Sequence, residues 1–279
     1  MPDSYTLNRD SVESQRLNKQ HELYKINTGH LLHPRIAATL PKDAHIAEVA
    51  TGTGIWLRDL SSQFPKSWSF TGLDISADQF PKQHEDRLEL KVLNILNPVP
   101  EEYKGTIDVV HLRLLVCGLS GDDWKTAARN IHNLLKPEGW IQWQESDFAN
   151  MRALQSTPGG SIAATQSLMD FNVAVLAKEG RLLSSDVYNL RNVISEAGFG
   201  MVEQDVFSSD RVPETRELAN QIEIGALVAL GGYCARTYPE MGWTVEKVEE
   251  VEEKMRAELE GGRAYSRWDM FVVTGRKGQ

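Results

Sequence analysis

The segment Glu48-Val-Ala-Thr-Gly-Thr-Gly54 constrains the fold more than any other stretch of this 279-residue chain. It follows His45 to Ala50, a short apolar run that reads as a buried strand. It precedes Ile55 to Phe64, where Trp56, Leu57 and Leu60 fall at helical spacing. Strand, glycine turn and helix in that order open a parallel α/β sheet, in which ligands sit beyond the carboxyl ends of the strands. Glycines let the turn take positive φ and approach a ligand closely, and the helix that follows aims its free N–H groups at it.

The same turn discriminates between nucleotides. A dinucleotide fold asks for a third small residue, G-x-G-x-x-G or A, and Leu57 stands there. A phosphate-binding P-loop is excluded because no Gly-Lys-Ser/Thr follows. Glu48 is an acid inside an otherwise apolar strand, where a charge needs a reason. It is suited to hold the loop amides and to attract a cationic ligand. Asp74 ends the second strand about 20 residues after Gly54, where a carboxylate accepts both hydroxyls of a ribose. Each feature alone is also a generic turn or a loop acid. Together they favour S-adenosylmethionine (SAM) as cofactor over NAD.

Strand and helix signals alternate beyond this point: strands at Trp68–Leu73, Leu88–Leu93, Ile107–Leu112 and Trp140–Glu145, with an amphipathic helix at Trp124–Leu135. This predicts an open, doubly wound parallel sheet. A polar helix over residues 11–28 precedes it, and residues 1–40 are expected to form a helical cover. After residue 150 the rhythm changes. Ile162–Lys178 reads as a helix, Val187–Ala197 as another, and Met201–Phe207 as a sixth strand. Residues 214–230 and 245–260 read as helices separated by a break at Gly231-Gly232, and Arg267–Thr274 as the last strand. The expectation is one domain over 1–279, with helical insertions at 151–183 and 212–262 roofing the site.

Methyl transfer from a sulfonium is an in-line displacement, so proximity and alignment do most of the work, and a base helps when the acceptor carries a proton. His111, at the carboxyl edge of the fourth strand, is the first candidate base because imidazole titrates near neutrality. Arg113 beside it suits the carboxylate of SAM, or else a surface ion pair. Trp143 and Glu145 share a face of the fifth strand. Glu145 is suited to hold an acceptor amine, and Trp143 either to wall the pocket or to fill the core. Arg16, Gln20 and Tyr24 share one helical face. Tyr24, Phe171 and Tyr233 are further candidates for the substrate side. The glutamates of 245–260 read as a solvated face.

The segments Glu48-Val-Ala-Thr-Gly-Thr-Gly54 and Phe70-Thr-Gly-Leu-Asp74 resemble the cofactor motifs of class I SAM-dependent methyltransferases, and Val92-Leu-Asn94-Ile95 resembles the adenine-contacting segment. Ala50 replaces the first glycine of that motif, and Asn94 a more usual Asp. A narrower resemblance runs through Arg16–His21, Leu31–Pro34, Gly52–Trp56, Asp74–Ser76, Gln79–Pro81, Val110–Leu114, Leu135–Gly139 and Gln142-Trp143. It is to fungal small-molecule methyltransferases, including the N-methyltransferases of gliotoxin-like pathways and relatives of the velvet-complex regulator. It is good over residues 11–150 and weak afterwards. The resemblance implies a Rossmann-like sheet of order 3-2-1-4-5-7-6 with the seventh strand antiparallel. It assigns Glu48, Ala50, Thr51, Gly52, Gly54, Trp56, Asp74, Ile75, Phe80, Asn94 and Ile95 to the cofactor.

Composition narrows the substrate. A net charge of −9 repels phosphate backbones, so no nucleic acid is expected. The longest apolar stretch, Ile224–Leu230, is too short to span a membrane. Cys117 and Cys234 lie far apart, there is no Cys/His pair at zinc spacing, and His21 and His33 are not a metal pair, so no metal is expected. From the polar residues at its start, no signal peptide is expected. The expectation is a cytoplasmic enzyme that transfers a methyl group from SAM to N or O of a hydrophobic small molecule; the alternatives are a non-methylating cyclisation or rearrangement on the same fold, or a regulatory methyltransferase-like protein.

Overall fold

In the computed structural model, which describes residues 7–82, 86–181, 187 and 189–279, the sheet is built outward from β1 (His45–Val49). β1 runs parallel between β2 (Ser69–Asp74) and β4 (Ile107–Arg113). β3 (Leu88–Val92) pairs parallel with β2, and β5 (Leu135–Ser146) parallel with β4. β9 (Asp269–Lys277) then lies antiparallel on β5, and β7 (Phe199–Ser208) antiparallel on β9. The seven-stranded order β3-β2-β1-β4-β5-β9-β7 is the one the resemblance implies, with the last strand inserted next to the edge.

Two details of the strand pattern differ from the sequence reading. β6 (Arg152–Gln155) and β8 (Ala264–Arg267) form a second, antiparallel ribbon. Strands of four residues are too short to show a periodicity. The ribbon carries the β5–β9 pairing past the rim of the sheet. The expected strand at Arg267–Thr274 is accordingly divided, with Arg267 ending β8 and β9 running on to Lys277.

Helices cover both faces. α3 (Ile55–Gln63) buries Trp56, Leu57 and Leu60 against Ile46, Phe70, Val109 and Trp140. On the other face α4 (Asp123–Leu134) and α6 (Leu190–Glu196) pack Ile131, Leu134 and Ile194 on Val110, Leu112 and Val273. α1 (Ser11–Thr28) starts at Asp10, whose carboxylate accepts from the amides of Val12 and Glu13 at 2.9 Å, and stops at Gly29 in the left-handed region. A short turn of helix, α2 (Pro34–Ala37), leads into the sheet.

α1 joins α5 (Ala163–Lys178), α7 (Arg216–Thr237) and α8 (Val245–Leu259) in a separate apolar cluster containing Leu23, Leu168, Phe171, Leu227, Met255 and Trp268. α8 buries Val248, Val251, Met255 and Leu259 and turns Glu246, Glu249, Glu250 and Glu253 to solvent. The break expected at Gly231-Gly232 is absent, and α7 runs through it. The reason is packing: a Cβ at Gly231 would stand 2.8 Å from Leu168 Cδ1 of α5 and 3.3 Å from Val248 Cγ1 of α8. Gly231 lets three helices meet. No described helix is long and apolar enough to cross a membrane.

Gly231→Val is therefore expected to cost about 1–3 kcal/mol by overpacking. Gly232→Ala, whose nearest neighbour is the flexible Arg236 guanidinium, should be neutral or gain up to about 1 kcal/mol from helix propensity. Urea denaturation of both variants checks this, and equal effects at the two positions would refute the packing role.

Candidate active site

A cavity lies beyond the carboxyl ends of β1 to β5. β1 and its turn supply Glu48 to Thr53, β2 supplies Asp74 and Ile75, and the turn after β3 supplies Asn94 and Ile95. Arg113, Leu114 and Leu115 line it at the end of β4, with Phe148 and Met151 after β5. Arg16, Leu17 and Gln20 of α1 close one side, and α5 and α7 close another.

The turn is held from both flanks. Asp74 Oδ2 accepts the Gly52 amide at 2.8 Å, and its Oδ1 accepts the Ser76 amide at 3.1 Å. Burial raises the Asp74 carboxyl above its usual range, opposed by these two amides. Glu48 binds a hydroxyl where the sequence suggested amides: its Oε2 accepts from Thr51 Oγ1 at 2.6 Å. Its Oε1 lies 3.3 Å from His111 Nδ1. Ala50 sits at φ 57, in the left-handed region that favours glycine, which accounts for the glycine of the resembling motif at this place. Asn94 Oδ1 accepts the Leu96 amide at 2.9 Å and so fixes its own loop.

The residues expected to do chemistry are placed elsewhere. His111 has no exposed surface and is not on the cavity wall. Its ring stacks on Trp56 at 3.9 Å, between Glu48 and Gln144, and burial pushes its pKa down, with Glu48 opposing. Glu145 is also fully buried. It accepts the Leu115 amide at 2.8 Å, the Val116 amide at 3.2 Å and Trp143 Nε1 at 2.8 Å, clasping the turn after β4. Burial pushes its pKa up to about 7.

Among the substrate candidates, Trp143 packs on Trp124, Phe171 stacks on Trp243, and Tyr233 donates to Glu179. The Tyr24 hydroxyl bonds Ser146 beneath the Arg113 guanidinium. None of these four lines the cavity, nor do Gly54, Trp56 and Phe80. His21, Glu22 and Asp59 bring ligand-type atoms within 4.8 Å of one another, but Lys25 already binds Asp59 at 2.8 Å and Glu22 at 3.0 Å.

Two polar residues that the sequence reading passed over do face the cavity. Asn172 of α5 and Glu223 of α7 are 2% and 3% exposed. Each sits within an apolar stripe: Met169, Asn172, Val173 and Leu176 on one helix, and Glu223, Ala226, Leu227 and Leu230 on the other, all on the wall. A polar residue interrupting an i, i+3, i+4, i+7 stripe was the available signal.

Burial pushes Glu223 up to about 7, with Arg16 opposing. Glu145 and Glu223 thus hold protons in the folded chain at pH values where the unfolded chain, near 4.5, has released them. Their contribution to stability is lost as pH rises through about 5 to 7 and stays lost above. Glu223→Gln, neutral throughout, should therefore melt progressively higher relative to the unaltered protein from about pH 5.5 to about pH 8. Melting curves that shift in parallel would refute this.

Residues 47–141 match the family model described as a methyltransferase domain. By this match the segment, about a third of the chain, is similar to a methyltransferase domain. Within that segment lie most of β1, all of β2 to β4, and the cavity-lining turns after these strands. The chain is 44% identical over 152 residues to the methyltransferase grgD of a Penicillium species, covering 51% of this chain and 52% of that one. It is 32% identical over 176 residues to the N-methyltransferase gliN of Aspergillus fumigatus, covering 61% of each. The matched part thus spans about half to three fifths of the length of these relatives. The methyltransferase pytC of Aspergillus terreus aligns over 98% of this chain and 83% of its own at 24% identity. Among solved structures, a chain from the complex of the Haloferax volcanii Trm112 methyltransferase activator superimposes with a TM-score of 0.51 at 15% identity, covering 96% of both chains. The cyclase SpnF gives 0.50 at 15% identity over 95% of each. These two likenesses concern the fold alone, and they extend it over nearly the whole chain.

Proposed function

We propose that the protein transfers a methyl group from SAM to a nitrogen or oxygen of a hydrophobic small molecule. The observation that carries this reading is that Asp74, at the end of β2, and the glycine turn after β1 line one wall of the same cavity. The residues present fit the cofactor. At Gly52 the backbone is free of a side chain, and an added Cβ would meet Leu17 at 3.3 Å, so a larger residue would encroach on this wall. Asp74 would hold the ribose hydroxyls through lone pairs its two amide partners leave open, Asn94 and Ile95 the adenine, and Arg113 the carboxylate of the methionine part.

The bound cofactor supplies an electrophilic methyl on a sulfonium. The chain supplies alignment and exclusion of water. Glu145 fixes the Leu115–Val116 turn on the wall. His111, stacked on Trp56, keeps Glu48 on Thr51; we read both His111 and Glu145 as positioning residues. α1, α5 and α7 roof the cavity, and apolar side chains such as Met169, Leu176, Leu227 and Leu230 suit an apolar acceptor. The N-methyltransferase names of gliN and similar relatives support nitrogen as the acceptor.

Asp74→Ala should weaken SAM binding by at least about 1.5 kcal/mol, roughly tenfold, through loss of charged hydrogen bonds. Calorimetry with SAM and NAD checks this. Tight NAD binding without SAM binding would sink the reading, and unchanged affinity in the variant would place the ribose elsewhere. Mass spectrometry of a candidate acceptor then separates a methyl gain from an isomer of unchanged mass, the outcome expected of a cyclase.

A further inference from the structure

The charges around the cavity pair off unevenly. Arg16 is held by Glu13 through two bonds of 2.7 Å. Arg113 lies in the field of Glu48, and Asp74 in that of Arg9. Glu223 feels Arg16, but that guanidinium is already engaged by Glu13, and no hydrogen bond to the Glu223 carboxylate is seen among the described residues. On α5, Asn172 donates its Nδ2 to the Leu227 carbonyl of α7 at 2.9 Å, and its buried Oδ1 is turned toward Gly231 rather than toward Glu223. Of the residues that α5 and α7 bring to the cavity, all are apolar except Asn172 and Glu223, and Glu223 is the one charged group among them. A buried acceptor left unmet is costly, and a buried carboxylate more so. Such a surface is complementary to a ligand that brings N–H donors and a positive charge to an otherwise apolar body.

Resting on the methyltransferase reading, we propose that Glu223 is the specificity determinant of the acceptor side and selects an apolar molecule bearing a basic nitrogen. The sulfonium of SAM is the competing partner for the same carboxylate. The position of Glu223 argues against it: Glu223 lies on the roof with Asn172, Leu227 and Leu230, whereas the glycine turn, Asp74 and Asn94 form the sheet-side wall.

The test uses 3-phenylpropylamine and its alcohol, 3-phenylpropanol, as probes, titrated calorimetrically into the full chain with and without S-adenosylhomocysteine. The amine is expected to bind about tenfold tighter than the alcohol, and Glu223→Gln to reduce that preference to within about twofold. Affinities for SAM and for uncharged S-adenosylhomocysteine should both be retained in the variant. Equal binding of the two probes, or a preference that survives in Glu223→Gln, would overturn the proposal, and the comparison in the unaltered protein needs no variant to fold. Loss of SAM affinity with S-adenosylhomocysteine affinity intact would also overturn it, assigning Glu223 to the sulfonium. Failure of the unaltered protein to bind either cofactor form would count against the methyltransferase reading instead, and the probe titrations of the cofactor-free chain would still decide the role of Glu223.

Discussion

The buried carboxylate of Glu48 is the junction on which the site depends. It stands on the central strand, ties the turn that follows through Thr51, and ties the neighbouring strand through His111. His111 in turn stacks on Trp56 at the start of α3. Strand, turn, helix and second strand thus meet on one side chain, in a setting where an unmatched charge would be expensive. Asp74 repeats the arrangement from the other flank. The glycine turn is held by these two acids so that its open face is presented to the cavity.

This accounts for where the catalytic-looking residues went. A histidine and a glutamate at strand ends carry the right chemistry, but His111 and Glu145 use it to hold backbone and ring in place. What remains at the cavity is mostly geometry, which suits a displacement that needs alignment more than acid–base help.

The sheet was legible because its signals are local. Apolar runs separated by turns mark β1 to β5, and a glycine turn with an acid after the next strand marks the cofactor side. Those residues adjoin strand ends, so their position in the fold follows from the strand assignment alone. Glu223 and Asn172 lie in mid-helix, and only the packing of α5, α7 and α1 decides which way they point. Gly231-Gly232 misled for the same reason: glycine is a weak helix former in isolation, and the need for close approach to Leu168 and Val248 is invisible until the partner helices are in place. The β6–β8 ribbon joins segments far apart in sequence and too short to announce themselves.

The place of β9 has a kinetic consequence. Because it lies between β5 and β7, these two earlier strands never touch, and β7 has no sheet to join until the last strand has docked on β5. A chain emerging in order can assemble β1 to β5 from successive crossovers. It must then keep β7 and the apolar faces of α5 and α7 waiting for a contact of long sequence separation, which is a slow step. The helices that close the cavity away from the sheet thus consolidate last.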